Sequence, residues 1–325
     1  MERIKVLITG ADGFVGRALG VYLAGKGLVV YRAIRQTGDP TIKSDLRVVG
    51  DIDATTDWSA ALQGVDAVIH LAARVHVMAD QASDPLADFR KVNTAGTINL
   101  ARQAAGVGVR RFVYLSTVKV NGEKTGVSDG GNGRRFSEAD PPCPSDHYAI
   151  SKWEAEQGLA QISADTAMEL VIVRPPLVYG PGVRANFLSL MRWIDLGVPL
   201  PLGRIDNRRS LVSLENLVDF LFNCLVKPAA AGETFMVADG EDLSTPELIR
   251  RIAGLIGRPA RLVPVPETLL RLGGRLLGRS AEIERLCGSL QIEIGKAKHL
   301  LNWEPPLSMD EGLRRTVNWY LKGTA

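Results

Sequence analysis

The chain has 325 residues, of which 46% are hydrophobic, so it can bury a large core and form two lobes. Its net charge is only +3 with scattered basic residues, and no apolar run approaches the ~20 residues of a membrane span, so we expect neither nucleic-acid binding nor membrane insertion. Three separated cysteines indicate a reducing cytoplasm, and the lack of metal-ligand spacing among the cysteines and the four histidines predicts no metal site.

The N-terminus combines a strand, a glycine-rich turn and a helix. Residues 4–8 predict a buried parallel strand, and residues 17–23 have helical spacing. Between them, Gly10 allows a tight turn, Gly13 lets a pyrophosphate approach the backbone, and Gly16 permits close packing of helix and strand. Free N–H groups at the start of the helix would bind the phosphates. The segment therefore predicts a dinucleotide site, with a turn that binds no ligand as the alternative.

The second predicted strand, residues 28–34, bears on the choice of dinucleotide. An acidic residue about 20 positions after the glycines normally binds the ribose 2′-hydroxyl of NAD. Here the strand ends in Arg35 and Gln36, and the next carboxylate, Asp39, falls in a loop. A guanidinium can pair with a 2′-phosphate, which favours NADP(H). The alternative is a solvated Arg35 and the use of NAD(H).

Predicted strands and helices alternate as far as about residue 180. The strands after the N-terminal pair are residues 67–71, 111–115 and 170–174. Alternation of this kind predicts an α/β fold in which helices cover both faces of a parallel sheet. Ligands bind at the carboxyl ends of such strands, so we expect the residues that follow them to converge on one crevice. Those residues are Gly10, His70 to Ala73, Thr117, and Pro175 to Tyr179.

Residues 121–147 interrupt this alternation. The segment is rich in glycine, serine and aspartate, and three prolines follow shortly before its end. Such a composition predicts a loop. Its position immediately before the helix that carries Tyr148 makes a lid over a substrate one interpretation and a floppy surface insertion the other.

Tyr148 and Lys152 are four residues apart in a predicted helix, so their side chains lie on the same face. An ammonium beside a phenol favours the phenolate, so the pKa of Tyr148 is expected to fall toward working pH. Such a pair can exchange a proton with a hydroxyl or ketone during hydride transfer. The alternative is that Tyr148 and Lys152 simply face solvent. The predicted dinucleotide site upstream favours the catalytic interpretation.

Leucines and arginines alternate in residues 269–279. The four-residue spacing of Arg271, Arg275 and Arg279 puts the arginines on one side of a helix. A basic amphipathic helix can lie on a membrane surface. A surface helix that packs its leucines inward is the commoner structure, and it is the one we expect.

Several motifs together resemble the extended short-chain dehydrogenase/reductase superfamily, and within it the nucleotide-sugar epimerases, dehydratases and reductases. The glycine turn has the spacing G-x-x-G-x-x-G, and Tyr148 and Lys152 resemble the superfamily's catalytic pair. His70 to Ala73 resembles its H-x-A-A stretch, residues 174–182 its RPxxVYGPG segment, and residues 301–305 its terminal LGWxP. The resemblance spans nearly the whole chain.

This resemblance implies an architecture. It implies a Rossmann-like, doubly wound parallel sheet in an NAD(P)-binding domain of residues 1–179 and 213–239. Residues 180–212 and 240–325 would form a smaller, mainly C-terminal lobe that binds the nucleotide sugar. Family members commonly dimerise through helices such as the one that begins near Tyr148, so a homodimer is expected.

The resemblance also assigns roles to single residues. Tyr148 would exchange a proton with a sugar oxygen, Lys152 would bind the nicotinamide ribose, and Thr117 would donate a hydrogen bond to the same sugar oxygen. Besides Thr117, the substrate would contact Asn186, Arg209 and a second cation, Arg285, with Arg279 as its alternative. The cofactor would contact Gly10, Asp12, Gly13, Phe14, Val15, Gly16, Arg35, Asp51, Ile52, Leu71, Ala72, Ala73, Asn93, Tyr148, Lys152, Pro175 and Val178.

The residues that follow Thr117 narrow the reaction. In this family the 4,6-dehydratases carry Asp-Glu directly after the threonine, where this chain has Val118 and Lys119. Neither side chain can do the same acid–base work. This difference argues against a dehydratase and leaves chemistry at C4 of a UDP-sugar.

Two reactions at C4 fit the resemblance. A 4-ketoreductase makes one hydride transfer and exchanges NADPH, whereas a 4-epimerase oxidises and re-reduces the sugar with NAD kept bound. The missing ribose carboxylate favours the reductase, and residues 117–122 and 184–187 resemble bacterial enzymes that reduce a UDP-4-keto-6-deoxy-N-acetylhexosamine for surface polysaccharides. A UDP-glucose or UDP-N-acetylglucosamine 4-epimerase is the alternative. A catalytically silent dinucleotide-binding sensor or scaffold is a third interpretation, against which the retained Thr117, Tyr148 and Lys152 argue.

Overall fold

The computed structural model describes residues 3–36, 45–75, 84–126, 133–276 and 278–324. Within them lie ten strands: β1 (Lys5–Thr9), β2 (Val29–Ile34), β3 (Leu46–Val48), β4 (Ala67–His70), β5 (Arg111–Leu115), β6 (Glu169–Arg174), β7 (Leu177–Tyr179), β8 (Arg209–Ser213), β9 (Thr234–Met236) and β10 (Asp242–Leu243). Seven of them form one sheet in the order β3–β2–β1–β4–β5–β6–β9, and every neighbouring pair is parallel. The predicted Rossmann-like, doubly wound parallel sheet is confirmed.

Twelve α-helices lie in the described residues. They are α1 (Phe14–Gly25), α2 (Ser59–Leu62), α3 (Pro85–Phe89), α4 (Thr97–Gly106), α5 (His147–Asp165), α6 (Ala185–Asp195), α7 (Leu214–Val226), α8 (Thr245–Ile256), α9 (Glu267–Leu276), α10 (Ser280–Cys287), α11 (Gly295–Leu301) and α12 (Met309–Thr324). A π-helical segment, Arg90–Gly96, joins α3 to α4. In the described ranges, no helix has the length and apolar character needed to cross a membrane.

The main sheet is covered by helices on both faces, which explains why its strands are almost wholly apolar. In β1, Val6 and Ile8 join a hydrophobic cluster with α1 and α7, whereas Leu7 joins a second cluster with α4 and α5. Leu19 of α1 and Leu159 of α5 are fully buried in these two layers. Because successive side chains of a strand point to opposite faces, β1 contributes residues to the hydrophobic core on each face of the sheet.

Three short strands form a second sheet. β7 pairs in parallel with β8, and β8 pairs antiparallel with β10. Helices α6, α8 and α12 contribute to a third hydrophobic cluster, which includes Tyr179, Phe187, Ile252 and Leu313. β7 lies just before the predicted domain boundary and pairs with a strand from beyond it. The boundaries of the two domains stay a prediction.

The flanks of the predicted loop at residues 121–147 are anchored to the chain before α11. The backbone nitrogen of Thr125 donates to the Ser289 carbonyl, and that of Phe136 donates to the Gln291 carbonyl, each at 2.8 Å. Residues 127–132 lie outside the described residues, so the choice between a lid and a floppy insertion is not tested.

Helix α9 shows that one expectation was wrong. Its leucines were expected to pack inward, but Leu269, Leu272 and Leu276 are 57%, 52% and 80% exposed. Of the described leucines in this helix, Leu270 alone packs against the third hydrophobic cluster. The periodicity identifies an amphipathic helix, but it does not show which side faces the protein.

Candidate active site

The turn between β1 and α1 requires its glycines. Gly10 has a φ of +64°, which favours glycine, and a Cβ there would lie 2.8 Å from the Ala72 nitrogen. A Cβ on Gly16 would lie 2.2 Å from the Gly10 carbonyl oxygen, and one on Gly13 would lie 3.0 Å from the same atom. The spacing G-x-x-G-x-x-G therefore reflects close contacts within the turn and with the chain after β4.

This turn fits the pyrophosphate of a dinucleotide. Gly13 is the N-cap of α1, and no described side chain caps the helix, so the first N–H groups remain available to an anion. A cavity of about 590 Å³ opens beside the turn, lined in part by Asp12, Gly13, Phe14 and residues 181–184. Tyr148 is not among the residues that line this cavity. This cavity thus lies beside the turn that is expected to bind the phosphates of the cofactor.

A hydrogen-bond network fixes the chain after β4 against β1. Thr9 Oγ1 accepts hydrogen bonds from the backbone nitrogens of Leu71 and Ala72, each at 3.2 Å. The His70 ring lies between two hydroxyls, with Nδ1 2.7 Å from Thr9 Oγ1 and Nε2 2.9 Å from Thr97 Oγ1. Burial, with a smaller effect from a nearby lysine, lowers the pKa of His70 to about 3. His70 is therefore a neutral structural residue that shapes the crevice.

Asn93 joins the chain after β4 to helix α5. Its Oδ1 accepts a hydrogen bond from the Arg74 nitrogen at 2.8 Å, and its Nδ2 donates to Ser151 Oγ at 3.0 Å. At the end of β6, the Pro175 carbonyl accepts a hydrogen bond from the Val118 nitrogen at 3.0 Å. These bonds hold together the strand ends at which the cofactor is expected. Four further predicted cofactor residues are half-buried: Phe14, Val15, Ala73 and Val178.

Arg35 has a carboxylate neighbour that the sequence analysis did not identify. Its Nε lies 2.9 Å from Oδ1 of Asp51, and both side chains are largely exposed. The parallel pairing of β3 with β2 returns the chain to the end of β2, where Arg35 lies. Ile52 is held against Gly96, where a Cβ would lie 2.7 Å from Ile52 Cγ2. A carboxylate therefore lies beside Arg35 and offsets its charge.

We expect Asp51→Asn to raise the affinity for NADP(H) relative to NAD(H). Asparagine keeps the shape but removes a charge that pairs with Arg35 and would repel a 2′-phosphate. The ratio of the two dissociation constants should change about fivefold, the size of one exposed charge contact. Fluorescence titration with NADH and NADPH measures it, with Asp45→Asn as control, because Asp45, directly before β3, pairs with Arg32 of β2 at 2.8 Å. An unchanged ratio would place Asp51 away from the cofactor.

Thr117, Tyr148 and Lys152 lie at the carboxyl edge of the main sheet. Thr117 is buried directly after β5, and Tyr148 and Lys152 lie in the first two turns of α5. Lys152 is only 1% exposed, and its Nζ lies 4.0 Å from the centroid of the Tyr114 ring of β5. The half-buried Tyr148 meets the ring of Phe89 edge-on, with centroids 6.3 Å apart. The alternative in which the pair faces solvent is therefore wrong.

The acid–base balance of the pair differs from the prediction. Burial and the nearby Asp146 carboxylate raise the pKa of Tyr148 above its ordinary value. Burial also lowers the pKa of Lys152 to about 7, although Glu156 acts in the opposite direction. The expected fall in the Tyr148 pKa was wrong for the chain by itself, because burial disfavours the charged form of both groups. Packing within the chain alone therefore favours the phenol over the phenolate at Tyr148.

A buried ion pair, which no local sequence motif indicates, joins α5 to β6. Glu156 and Arg174 are 2% and 4% exposed, and Arg174 Nε donates to Glu156 Oε1 at 3.1 Å, beside a second contact between the two groups. Ser116 also donates to Glu156, and Arg174 donates to Asn121 Oδ1 at 3.0 Å. Glu156 lies one helical turn after Lys152. The network therefore connects β5, β6 and α5 next to the catalytic pair.

A chain of charged residues extends from the end of β5 to α10. Lys119 Nζ lies 2.5 Å from Asp146 and 3.0 Å from Glu123. Glu123 in turn lies 3.9 Å from Arg285 Nε, and Arg209 donates to the Arg285 carbonyl at 2.6 Å. The structure thus brings the two predicted substrate arginines together and connects them, through Glu123, to the region of Thr117.

Asn186 is the third residue predicted to contact the diphosphate. It is exposed in the first turn of α6, directly after Ala185, whose φ of +52° lies in the left-handed region. In the described part of the chain, no hydrogen bond joins Asn186 to Arg209 or Arg285. A joint role for the three residues stays a prediction.

Residues 6–238 match the NAD dependent epimerase/dehydratase family. The match covers more than half of the 325 residues. The chain belongs to this family. The predicted resemblance is therefore confirmed. A relative from Vibrio cholerae named UDP-glucose 4-epimerase is 45% identical over 322 residues, which cover 98% of this chain and 96% of the relative.

Solved structures share the fold of this family member. UDP-glucuronic acid 4-epimerase from Bacillus cereus in complex with NAD has a TM-score of 0.78 at 22% identity, with 99% of this chain and all of that chain covered. MoeE5 in complex with UDP-glucose and NAD has a TM-score of 0.77 at 24% identity, again with 99% of this chain and all of that chain covered. At these identities the likeness concerns the fold alone.

Proposed function

We propose that this protein is an NAD-dependent 4-epimerase of a UDP-sugar. The proposal depends chiefly on Lys152, buried one turn after Tyr148 at the carboxyl edge of the sheet, in a chain 45% identical to a UDP-glucose 4-epimerase. The pairing of Asp51 with Arg35 favours NAD over the NADP(H) expected from the sequence. The NAD complexes of the two structural neighbours agree with this choice.

In this proposal the chain's own side chains hold the sugar and move its proton. When bound, NAD would supply a hydride acceptor and, once reduced, a hydride donor at C4 of the sugar. Tyr148 exchanges the proton of the C4 oxygen, and Thr117 donates a hydrogen bond to that oxygen. Lys152 orients the cofactor ribose. Lys119 is a cation paired with two carboxylates, so it cannot act as the base of a dehydratase.

Arg209 and Arg285 would meet the diphosphate of the substrate, together with Asn186. A guanidinium suits this task because its planar donors match phosphate oxygens in pairs. The partial burial of Arg209, held by the Arg285 carbonyl, would present the group with little loss of side-chain entropy.

The proposal also assigns one ligand to each predicted domain. Residues 1–179 and 213–239 would bind the cofactor, and residues 180–212 and 240–325 would bind the nucleotide sugar. A homodimer, a cytoplasmic location and a role in surface-polysaccharide synthesis stay predictions. The relatives named above support an epimerase better than the 4-ketoreductase that the sequence favoured.

Purified protein incubated with UDP-glucose or UDP-N-acetylglucosamine, without added cofactor, tests the proposal. We expect interconversion with the galacto epimer, measured by anion-exchange chromatography, and release of stoichiometric NAD when the protein is denatured. NADPH consumption with UDP-4-keto-6-deoxy-N-acetylglucosamine, without epimerisation, would replace the proposal by a 4-ketoreductase. Dinucleotide binding without turnover of any nucleotide sugar would indicate a sensor or scaffold.

A further inference from the structure

Helix α9 presents an apolar face to solvent. Leu269, Leu272 and Leu276 are all more than half exposed, and their spacing of three and four residues places them on one side of the helix. Leu270 points elsewhere and packs against the third hydrophobic cluster. α9 is therefore apolar on its outer side as well as on its inner side.

The fold holds α9 in this orientation. Gly274 is buried against α10, where a Cβ would lie 2.7 Å from Ile283 Cγ1. Arg271 donates to Glu267 at 2.8 Å and to Glu284 at 3.3 Å, which ties α9 to α10. The outer leucines cannot turn inward unless these contacts break. Their exposure is thus a fixed property of this surface.

The surroundings of the leucines are strongly basic. Residues 258–279 contain five arginines and one glutamate, and the adjoining α10 adds two glutamates and one arginine, so residues 258–287 carry +3, the same net charge as the whole chain. Arg275 and Arg279 are exposed, and within the described residues neither makes an ion pair with a carboxylate. An apolar face flanked by unpaired cations is complementary to a surface that is anionic outside and apolar beneath.

We propose that α9 attaches this protein peripherally to membranes that contain anionic phospholipids. Leu269, Leu272 and Leu276 enter the boundary between head groups and acyl chains, and Arg275 and Arg279 meet the lipid phosphates. The helix of ten residues is about 15 Å long, half of the ~30 Å hydrocarbon core, so it lies in the plane of the surface and does not span it. This attachment is independent of the proposed function.

Two features favour lipid over protein as the occupant. The cores of protein interfaces are enriched in tyrosine, tryptophan, phenylalanine and methionine, and α9 contains none of these residues. A second copy docked through the same face would bring Arg275 and Arg279 close to their own symmetry mates, where like charges repel. An anionic lipid surface instead meets the leucines and the arginines together.

Co-sedimentation of the whole protein with vesicles tests this inference. We expect binding to phosphatidylcholine vesicles that contain about one third phosphatidylglycerol, but not to pure phosphatidylcholine, and loss of binding at high salt. Leu272→Ser combined with Leu276→Ser should lower the partition coefficient tenfold or more, and Arg275→Gln about fivefold.

A matched control replaces one exposed apolar and one exposed basic residue elsewhere, Val107→Ser with Arg110→Gln, and should bind as the wild type does. Circular dichroism and UDP-sugar turnover in solution should be unchanged in the α9 variants, so a loss of binding reports on the surface. Failure of the wild type to sediment with anionic vesicles at low salt overturns the inference. Self-association that the leucine variant abolishes, without vesicle binding, overturns it in favour of a contact between copies.

Discussion

Tyr148→Phe is expected to lower kcat for epimerisation about 10³-fold, while the protein keeps its fold and its bound dinucleotide. The substitution removes only the phenolic oxygen, which the proposed reaction needs for each proton transfer. The ring that meets Phe89 edge-on remains in place. The oxygen is needed twice, because it accepts the C4 hydroxyl proton in the oxidation and returns a proton to the C4 oxygen in the reduction. Chromatography of the UDP-sugar epimers measures turnover, and absorbance of the released dinucleotide measures cofactor content.

Tyr22→Phe is the matched control. Its hydroxyl donates to Asp219 at 2.5 Å, between α1 and α7, so the variant loses a phenol without a proposed role in the reaction. Normal turnover is expected, with a fall of about 1.5–3 kcal/mol in the free energy of unfolding for a hydrogen bond to a charged group. A Tyr148→Phe enzyme within tenfold of wild-type kcat would remove Tyr148 from the catalytic step.

Most of the main sheet could be predicted because its strands are short apolar runs covered on both faces. β5 coincides with the predicted residues 111–115, and the other predicted strands lie within one or two residues of their observed bounds. β3 has only three residues, one of them the charged Arg47, so no apolar run identifies it. β10 has two residues and exists because Asp242 and Leu243 pair with β8, more than 30 positions earlier. Such strands arise from tertiary pairing and leave no local signal.

In the candidate site, too, single residues that depend on tertiary contacts could not be predicted from local sequence. Gly10, Tyr148 and Lys152 could be identified because the chemistry that they perform needs fixed local spacing. Asp51 approaches Arg35 only because β3 pairs with β2, which neither residue's neighbours indicate. The pKa of Tyr148 depends on burial, so its direction could not be read from Lys152 alone. Local motifs thus predict which groups react, and packing decides their charge.

Glu156→Gln is expected to lower the free energy of unfolding by about 3–5 kcal/mol, because it leaves the Arg174 guanidinium buried without its counterion. Glu154→Gln is the matched control, since it makes the same change two residues earlier in α5. Glu154 pairs with Arg90, which is 49% exposed, so loss of that solvent-screened surface pair should leave the free energy of unfolding nearly unchanged. Urea unfolding followed by circular dichroism measures both. Equal effects would show that the buried pair contributes no more than the exposed one.

Glu156→Gln also tests whether Glu156 affects catalysis in addition to the stability of the fold. The Glu156 charge favours the ammonium form of Lys152, whose pKa burial lowers to about 7. Without Glu156 that pKa falls further, so the ammonium is lost at lower pH. If Lys152 acts as a cation, the alkaline decline of kcat/KM should therefore move to lower pH in Glu156→Gln and stay in place in Glu154→Gln.

A double variant, Glu156→Leu with Arg174→Met, distinguishes an effect on stability from an effect on the pKa of Lys152. Removal of both buried charges should recover much of the lost stability, because no ion is left without a partner. The Lys152 ammonium still lacks the carboxylate one turn away, so the shifted pH profile should persist in this stable protein. A wild-type profile in the double variant would mean that the ion pair as a whole, which has no net charge, leaves the pKa of Lys152 unchanged.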